Sequence, residues 1–227
     1  MNTLIVSATR TPAETSHTTI FGQSLKSLLD LGVKFDVMFE HDNRNGLSQV
    51  YNKYLKTFGE KYDCIVFVHD DVYIDDALFI NKIEEGFNEG YDIVGTAGGI
   101  NPIIKAPTLW HIMCGQGNLR GAVSHFNEEN SQIWVTSFGP MPSRVTLLDG
   151  LFLAINTKRI LEVNWKFNEN YDFHLYDLAS SLDANKKKLK LGVLPIHLVH
   201  KSPGLSNLNN ETFQRNQAKF LKEYASE

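Results

Sequence analysis

Apolar and polar positions along this chain follow two periods, and its first half switches between them regularly. Leu4-Ile5-Val6 is a short apolar run, the pattern of a strand buried on both faces. Ile20, Leu25, Leu28 and Leu29 then share one helical face, with Gly32 placed as a stop. Phe35 to Phe39 reads as a second strand, ending at Glu40. The clearest helix comes next. Leu47, Val50, Tyr51, Tyr54, Leu55 and Phe58 recur at i, i+3, i+4, i+7, i+8 and i+11, and Gly59 closes the run. Cys64 to Val68 is a third strand, apolar throughout. Asp75 or Asp76 is placed to cap a helix through Ile80, Ile83 and Phe87 that stops at Gly90, and Tyr91 to Val94 gives a fourth strand.

This βαβαβαβ order predicts an α/β fold with a mostly parallel central sheet flanked by helices, Rossmann-like in its N-terminal half. Such sheets bind ligands beyond the carboxyl ends of their strands. Three strand ends therefore matter: Ser7-Ala8-Thr9-Arg10, Glu40, and His69-Asp70-Asp71. The second half is less periodic. Residues 98–145 are rich in Gly, Pro, Asn and Ser, which predicts long loops with short strands. Val145 to Ile155 reads as a strand interrupted at Asp149-Gly150, Tyr176 to Lys186 as a helix, and Leu191 to Leu194 as a short strand before His197 and His200. Glu211 to Tyr224 reads as a C-terminal helix.

Composition narrows the classes. With 227 residues, 42% of them hydrophobic, the chain can bury a full core. Its 22 Lys+Arg against 26 Asp+Glu, a net charge of −4, argue against a nucleic-acid binder. Cys64 and Cys114 form no CxxC pair and no disulfide framework, so a reducing, cytoplasmic setting is the default expectation. No apolar run approaches the roughly 18 residues of a membrane span, which leaves only peripheral membrane contact open. The N-terminal MNTLIVSATR lacks the basic region and long apolar stretch of a signal peptide.

The strongest chemical signal is Val66-Phe67-Val68-His69-Asp70-Asp71-Val72, where a buried strand releases into an imidazole and two carboxylates. Carboxylates at a strand end can hold a hard divalent cation that grips phosphate oxygens. They can equally cap the turn that follows. Asp177 has a bland reading too, as a helix N-cap. His197 and His200 read as solvent-facing strand residues, and Trp110, Trp134 and Trp165 as core or loop anchors, although Trp110 lies where an acceptor could stack.

The neighbourhood resembles a known family. Asn45-Gly46-Leu47-Ser48-Gln49-Val50-Tyr51-Asn52, Ile65 to Val72, and Val94-Gly95-Thr96-Ala97-Gly98 resemble the GT-A glycosyltransferases of the family-2 type, in particular a subgroup with His-x-Asp in place of Asp-x-Asp. Leu148 to Ala154, Phe173-His174-Leu175-Tyr176-Asp177, and His197 to Gly204 match in the same order, so the resemblance spans residues 1–205.

The resemblance implies a GT-A (nucleotide-diphospho-sugar transferase) fold in a single domain. Residues 1–98 would be the nucleotide-sugar-binding half, 99–205 the acceptor and catalytic half, and 206–227 the C-terminal helix. It implies Asp71 and His200 as ligands of Mn2+ or Mg2+, with Thr9, Arg10, Glu40, Asn52, His69 and Asp70 around the donor. Asp149, Gly150 and Trp110 fall on the acceptor side, and Asp177 becomes the catalytic base. The implied reaction moves a sugar from a nucleotide-diphosphate donor, a UDP-sugar first, to a hydroxyl of a glycan, protein or small-molecule acceptor, with inversion. One base and one Lewis acid suffice for it, and no covalent nucleophile is needed.

Two positions depart from the family pattern: Ala179 stands where a second carboxylate is usual, and His69 replaces the first acid of Asp-x-Asp. They keep open a non-catalytic module that binds a nucleotide-sugar or a glycan. A GT-A-like nucleotidyltransferase is the weaker alternative, because Ala8-Thr9-Arg10-Thr11-Pro12-Ala13-Glu14 carries no glycine.

Overall fold

A computed structural model describes residues 1–127, 131–201 and 210–225. The N-terminal half runs β1 (Thr3–Ala8), α1 (Ile20–Asp30), β2 (Asp36–Glu40), α2 (Leu47–Phe58), β3 (Cys64–Val68), β4 (Val72–Ile74), α3 (Phe79–Asn88), β5 (Ile93–Gly95) and β6 (Ala97–Gly99). The remainder runs α4 (Trp110–Cys114), β7 (Leu119–Asn127), β8 (Gln132–Gly139), β9 (Ser143–Val145), β10 (Leu147–Leu148), β11 (Phe152–Asn156), α5 (Thr157–Glu162), α6 (Tyr176–Lys186), β12 (Leu191–Val193), β13 (Leu198–Lys201) and α7 (Glu211–Tyr224).

Seven strands form the main sheet, in the order β2-β1-β3-β11-β5-β12-β9. β1 pairs in parallel with β2 and β3, and β12 with β5. β11 lies antiparallel between β3 and β5, and β9 closes the far edge antiparallel. The parallel run expected from the alternation is thus interrupted. Periodicity marked β11 as a strand but carries no signal for where it inserts. That insertion matters, because β11 brings the Asp149-Gly150 turn to the carboxyl end of β3: Phe152 opposes Val68, and His69 N–H donates to Leu151 O at 3.1 Å.

β3 is buried at all five positions, as its unbroken apolar run requires. α2 covers it with the face predicted by its period, and Tyr51 stacks on Phe67 with ring centroids 4.3 Å apart. α3 starts at Phe79, later than a cap at Asp75 or Asp76 implies. Asp76 instead accepts from Leu78 N–H at 3.0 Å, pairs with Lys82 Nζ at 2.6 Å and accepts from His197 N–H at 3.2 Å.

A second sheet carries β10-β6-β7-β13-β4, with β8 paired to β7. The β7–β8 hairpin falls where long loops were expected. Ile133-Trp134-Val135-Thr136 is a β-branched and aromatic run that the surrounding Gly and Ser obscured. α7 docks through Phe213, Phe220 and Tyr224, all buried. Among the described residues no helix is long and apolar enough to cross a membrane, and both cysteines are free and buried. Ser202, Pro203 and Gly204, part of the last matched motif, lie outside the described residues, as does the expected boundary between 205 and 206.

Candidate active site

Two clefts meet beside the carboxyl end of β3 and share Phe173 as a wall. The larger, of about 830 Å³, is lined by Thr9, Arg10, Arg44, Asn45 and Asp70 among others. The smaller, of about 190 Å³, is lined by His69, Trp110, Asp149, Gly150 and Asp177 among others.

Thr9 Oγ1 donates to Asp70 Oδ2 at 2.5 Å, tying the ends of β1 and β3 together at the larger cleft. Arg10 is exposed at its edge beside Asn43 and Arg44. Two residues expected at the donor are used elsewhere. Glu40 is not among the cleft's lining residues: its carboxylate pairs with Lys53 Nζ at 2.7 Å and accepts from the Tyr54 hydroxyl at 3.1 Å. Asn52 likewise lies outside the lining. Its amide donates to Phe167 O at 2.9 Å and Glu169 Oε1 at 2.7 Å, and its carbonyl accepts from Phe167 N–H at 2.9 Å. Helical periodicity placed Asn52 on α2, but the partner segment lies 115 residues away and left no mark in the local pattern.

Asp71 and His200 do come together, with Oδ2 3.3 Å from Nε2. β13 carries His200 because it pairs antiparallel with β4, setting His200 opposite Val72, the neighbour of Asp71. Burial alone would raise Asp71, yet the His200 hydrogen bond and charge hold it below the usual carboxylate range. Burial alone would depress His200, yet Asp71 and Asp149 hold it above the ordinary imidazole value. Asp71 Oδ1 is buried and has no hydrogen-bond partner among the described residues. A lone buried acceptor of this kind is costly unless something occupies it. Among the described residues no three His, Cys, Asp or Glu side chains gather at one point.

His69 Nε2 lies 3.1 Å from the Tyr176 hydroxyl, which itself donates to Gly150 O at 2.9 Å. With that proton committed, the imidazole is the donor to Tyr176. Burial depresses its pKa, which favours this neutral form. The other ring face is stacked 6.0 Å from Phe173.

Asp177 sits in the first turn of α6, behind Leu175 in the left-handed region at φ 63°. A leucine there is strained, and strain of this kind gathers at sites where geometry matters. The carboxylate accepts from Gly150 N–H at 3.0 Å and Leu178 N–H at 2.9 Å. Burial, and next the charge of Asp149, push its pKa up to about 7. Ala179 is fully buried against the core, so the missing second acid is replaced by packing.

Asp149 accepts from Trp110 Nε1 at 2.6 Å and from Leu151 N–H at 3.1 Å. Trp110 lines the smaller cleft but is 5% exposed and packed on Phe138, and its indole N–H holds Asp149. His197 is also structural: Nε2 is 2.8 Å from Ser124 Oγ and Nδ1 3.2 Å from Asp75.

Sequence reading missed His125 and weighed Trp134 only as an anchor. His125 lies on β7 in register with His200, its ring centroid 6.2 Å away, and Trp134 stacks on it. The β-branched and aromatic run Ile133-Trp134-Val135-Thr136 was the available signal.

Comparisons with known proteins bear on the family and the fold. A family model described as "Glycosyltransferase like family" matches residues 15–224. Among solved structures, A197 from STIV is similar with TM-score 0.50 and 17% identity, over 93% of this chain and 100% of that one. GalNAc-T7, crystallised with UDP, GalNAc and Mn2+, is similar with TM-score 0.54 and 13% identity, over 98% of this chain. The match spans 48% of the GalNAc-T7 chain. A comparison with curated proteins gave no match. Fold and family together define the class: a GT-A glycosyltransferase. The chain belongs to the glycosyltransferase-like family, matched over nearly its whole length.

Proposed function

We propose that the protein moves a sugar from a nucleotide-diphosphate sugar to an acceptor hydroxyl with inversion, with Asp71 and His200 holding a divalent cation and Asp177 acting as base. One observation carries this reading. Asp71 presents a buried Oδ1 with no partner among the described residues, and its Oδ2 is shared with the imidazole of His200. A carboxylate and an imidazole suit Mn2+, and a carboxylate suits Mg2+. Two protein ligands alone fit the habit of such cations of sharing their coordination with substrate phosphates. When bound, the cation supplies positive charge against the departing diphosphate. Supporting this choice, GalNAc-T7 of similar fold was crystallised with Mn2+ and UDP.

The larger cleft is of a size to take a nucleoside diphosphate. Arg10 and Arg44 bring positive charge to its edge, and Thr9 fixes the carboxylate of Asp70. Asp177 faces the smaller cleft with both oxygens oriented by backbone N–H groups, and each oxygen keeps a lone pair for an acceptor proton. A pKa of about 7 suits a base that must take that proton near neutrality. His69 and Tyr176 line the smaller cleft, and Tyr176, bonded to His69, fixes the carbonyl of Gly150.

The test is UDP release from UDP-glucose, UDP-galactose, UDP-GlcNAc and UDP-GalNAc, with Mn2+ or with EDTA. Turnover of at least one donor that EDTA abolishes is the expected result. UDP binding without turnover of any donor, insensitive to EDTA, would sink the reading in favour of a binding module.

A further inference from the structure

Three neighbouring strands of the smaller sheet carry one row of rings. Trp134 on β8 is paired with His125 on β7, and His125 is in register with His200 on β13. Residues paired directly across strands point to the same face. The rings agree: Trp134 and His125 are stacked at 5.3 Å and 25°, and His125 and His200 are 6.2 Å apart. The row therefore runs outward from the Asp71–His200 pair. Further along β8, Phe138 packs at 4.8 Å against Trp110, which holds Asp149. β8 thus reaches the Asp71–His200 pair through His125 and Asp149 through Trp110.

Trp134 is the open ring of this row. It is 44% exposed, whereas Trp110 and Trp165 are each 5% exposed. One face rests on His125, which braces the indole and leaves other surface to solvent. Beside it is a group that can bond hydroxyls, the imidazole of His125, which stands between the indole and the Asp71–His200 pair. An apolar plate edged by an imidazole matches a pyranose ring, which has an apolar C–H face and a rim of hydroxyls. A plain apolar chain would leave that imidazole unmatched.

We propose that Trp134 is the platform on which a sugar ring of the acceptor stacks, with His125 as the positioning residue that holds the indole. The proposal rests on the glycosyl-transfer reading and adds the chemical class of the acceptor: a carbohydrate.

The test uses the full chain and four probes: the methyl β-glycosides of glucose, galactose, mannose and N-acetylglucosamine. Binding is read by saturation-transfer NMR and by intrinsic fluorescence, with cyclohexylmethanol as an apolar ring lacking the hydroxyl rim. The expected result is that at least one glycoside binds wild-type protein in preference to cyclohexylmethanol. Trp134→Ala weakens that binding by roughly tenfold or more. Trp134→Phe restores most of it, and His125→Ala gives an intermediate loss. UDP binding with Mn2+ stays unchanged in Trp134→Ala, which also shows that the variant is folded.

The proposal is overturned if no glycoside binds wild-type protein, if cyclohexylmethanol binds as well as the glycosides, or if Trp134→Ala binds like wild type. Failure of wild-type protein to bind UDP, with glycoside binding still lost in Trp134→Ala, sinks the transfer reading and leaves the platform standing.

Discussion

The backbone N–H of Gly150 donates to Asp177 Oδ2 at 3.0 Å, joining the turn before β11 to the first turn of α6. The approach is tight. A Cβ built on Gly150 would lie 2.3 Å from the Tyr176 hydroxyl oxygen and 3.0 Å from Asp177 Cβ. Tyr176 cannot swing away, being 2% exposed and bonded to Gly150 O. The candidate base is therefore positioned by an absent side chain.

Gly150→Ala should consequently do harm through packing and not through backbone conformation. The added methyl forces the start of α6 away from the turn, and overpacking of this kind costs about 1–3 kcal/mol. The larger cleft does not include Gly150, so UDP affinity should change little while transfer falls steeply. A urea denaturation midpoint, a UDP titration and a transfer assay on the same variant check this. Wild-type stability together with wild-type transfer would refute it.

Asp177 sets a direction for the pH dependence. Its pKa of about 7 means that the carboxylate is mostly protonated at pH 6 and mostly ionised at pH 8. A base must be ionised, so kcat/KM should fall on the acid side of about 7, approaching tenfold per pH unit. Stability moves the other way. An unfolded aspartate releases its proton near 3.9. Between about pH 4 and 7 the folded state therefore holds the extra proton, and this group's contribution falls as pH rises. Asp177→Asn removes that slope, so the stability difference between variant and wild type should shift in the variant's favour from pH 5 to pH 8. Thermal melts across that range check the slope, and a flat rate profile between pH 5.5 and 8 would remove Asp177 from the role of base.

Local pattern made half of this fold legible. Cys64 to Val68, the face of α2 and the span of α6 each follow from residues close in sequence, and each forms where the period placed it. The convergence of Asp71 with His200 came from resemblance to a family, because nothing local to either residue predicts a partner 129 positions away. The partners of Asn52, Glu40 and Trp110 were illegible for a related reason. Residue type said polar or aromatic near a strand end, but the partners that engage them, Phe167, Lys53 and Asp149, are set by packing. The β7–β8 hairpin was hidden by composition: Gly, Ser and Asn around it read as loop, although the β-branched and aromatic run Ile133-Trp134-Val135-Thr136 is that of a strand.

The Asp71–His200 pair predicts how metal and protons compete. His200 is held above its ordinary value, so its pairing stabilises the fold below the unfolded value near 6.5 and is lost as pH rises through the folded value. Asp71 is held low, so its contribution is present above the unfolded carboxylate value and is lost only in acid. A cation requires neutral imidazole and ionised carboxylate, so Mn2+ should bind more tightly at pH 8 than at pH 6. The gain in melting temperature from Mn2+ with UDP should grow over that interval. Asp71→Ala and His200→Ala should each remove the part of UDP affinity that EDTA abolishes in wild type. Calorimetric titration with and without EDTA measures it, and a variant that keeps EDTA-sensitive binding would take that residue out of the metal site.

Asn52 offers the sharpest separation of structural from functional roles, because both of its amide donors are committed to the protein and its carbonyl already accepts from Phe167 N–H. Its amide satisfies both the carbonyl and the N–H of Phe167, a fully buried residue at the centre of the ring cluster with Tyr51, Phe67 and Trp165. Asn52→Ala strands those two backbone groups, at a cost of about 1–3 kcal/mol for each group left buried and unbonded. Asn52→Asp keeps the acceptor for Phe167 N–H but sets a negative charge beside Glu169 and loses both donors. It should therefore be less stable than wild type at pH 7 and recover part of the difference at pH 4, where the introduced carboxyl takes up a proton. At a temperature where both variants remain folded, UDP affinity should stay within about threefold of wild type, less than 1 kcal/mol. Thermal melts paired with UDP titrations decide the matter: a large loss of UDP affinity in a variant with wild-type stability would return Asn52 to the donor site.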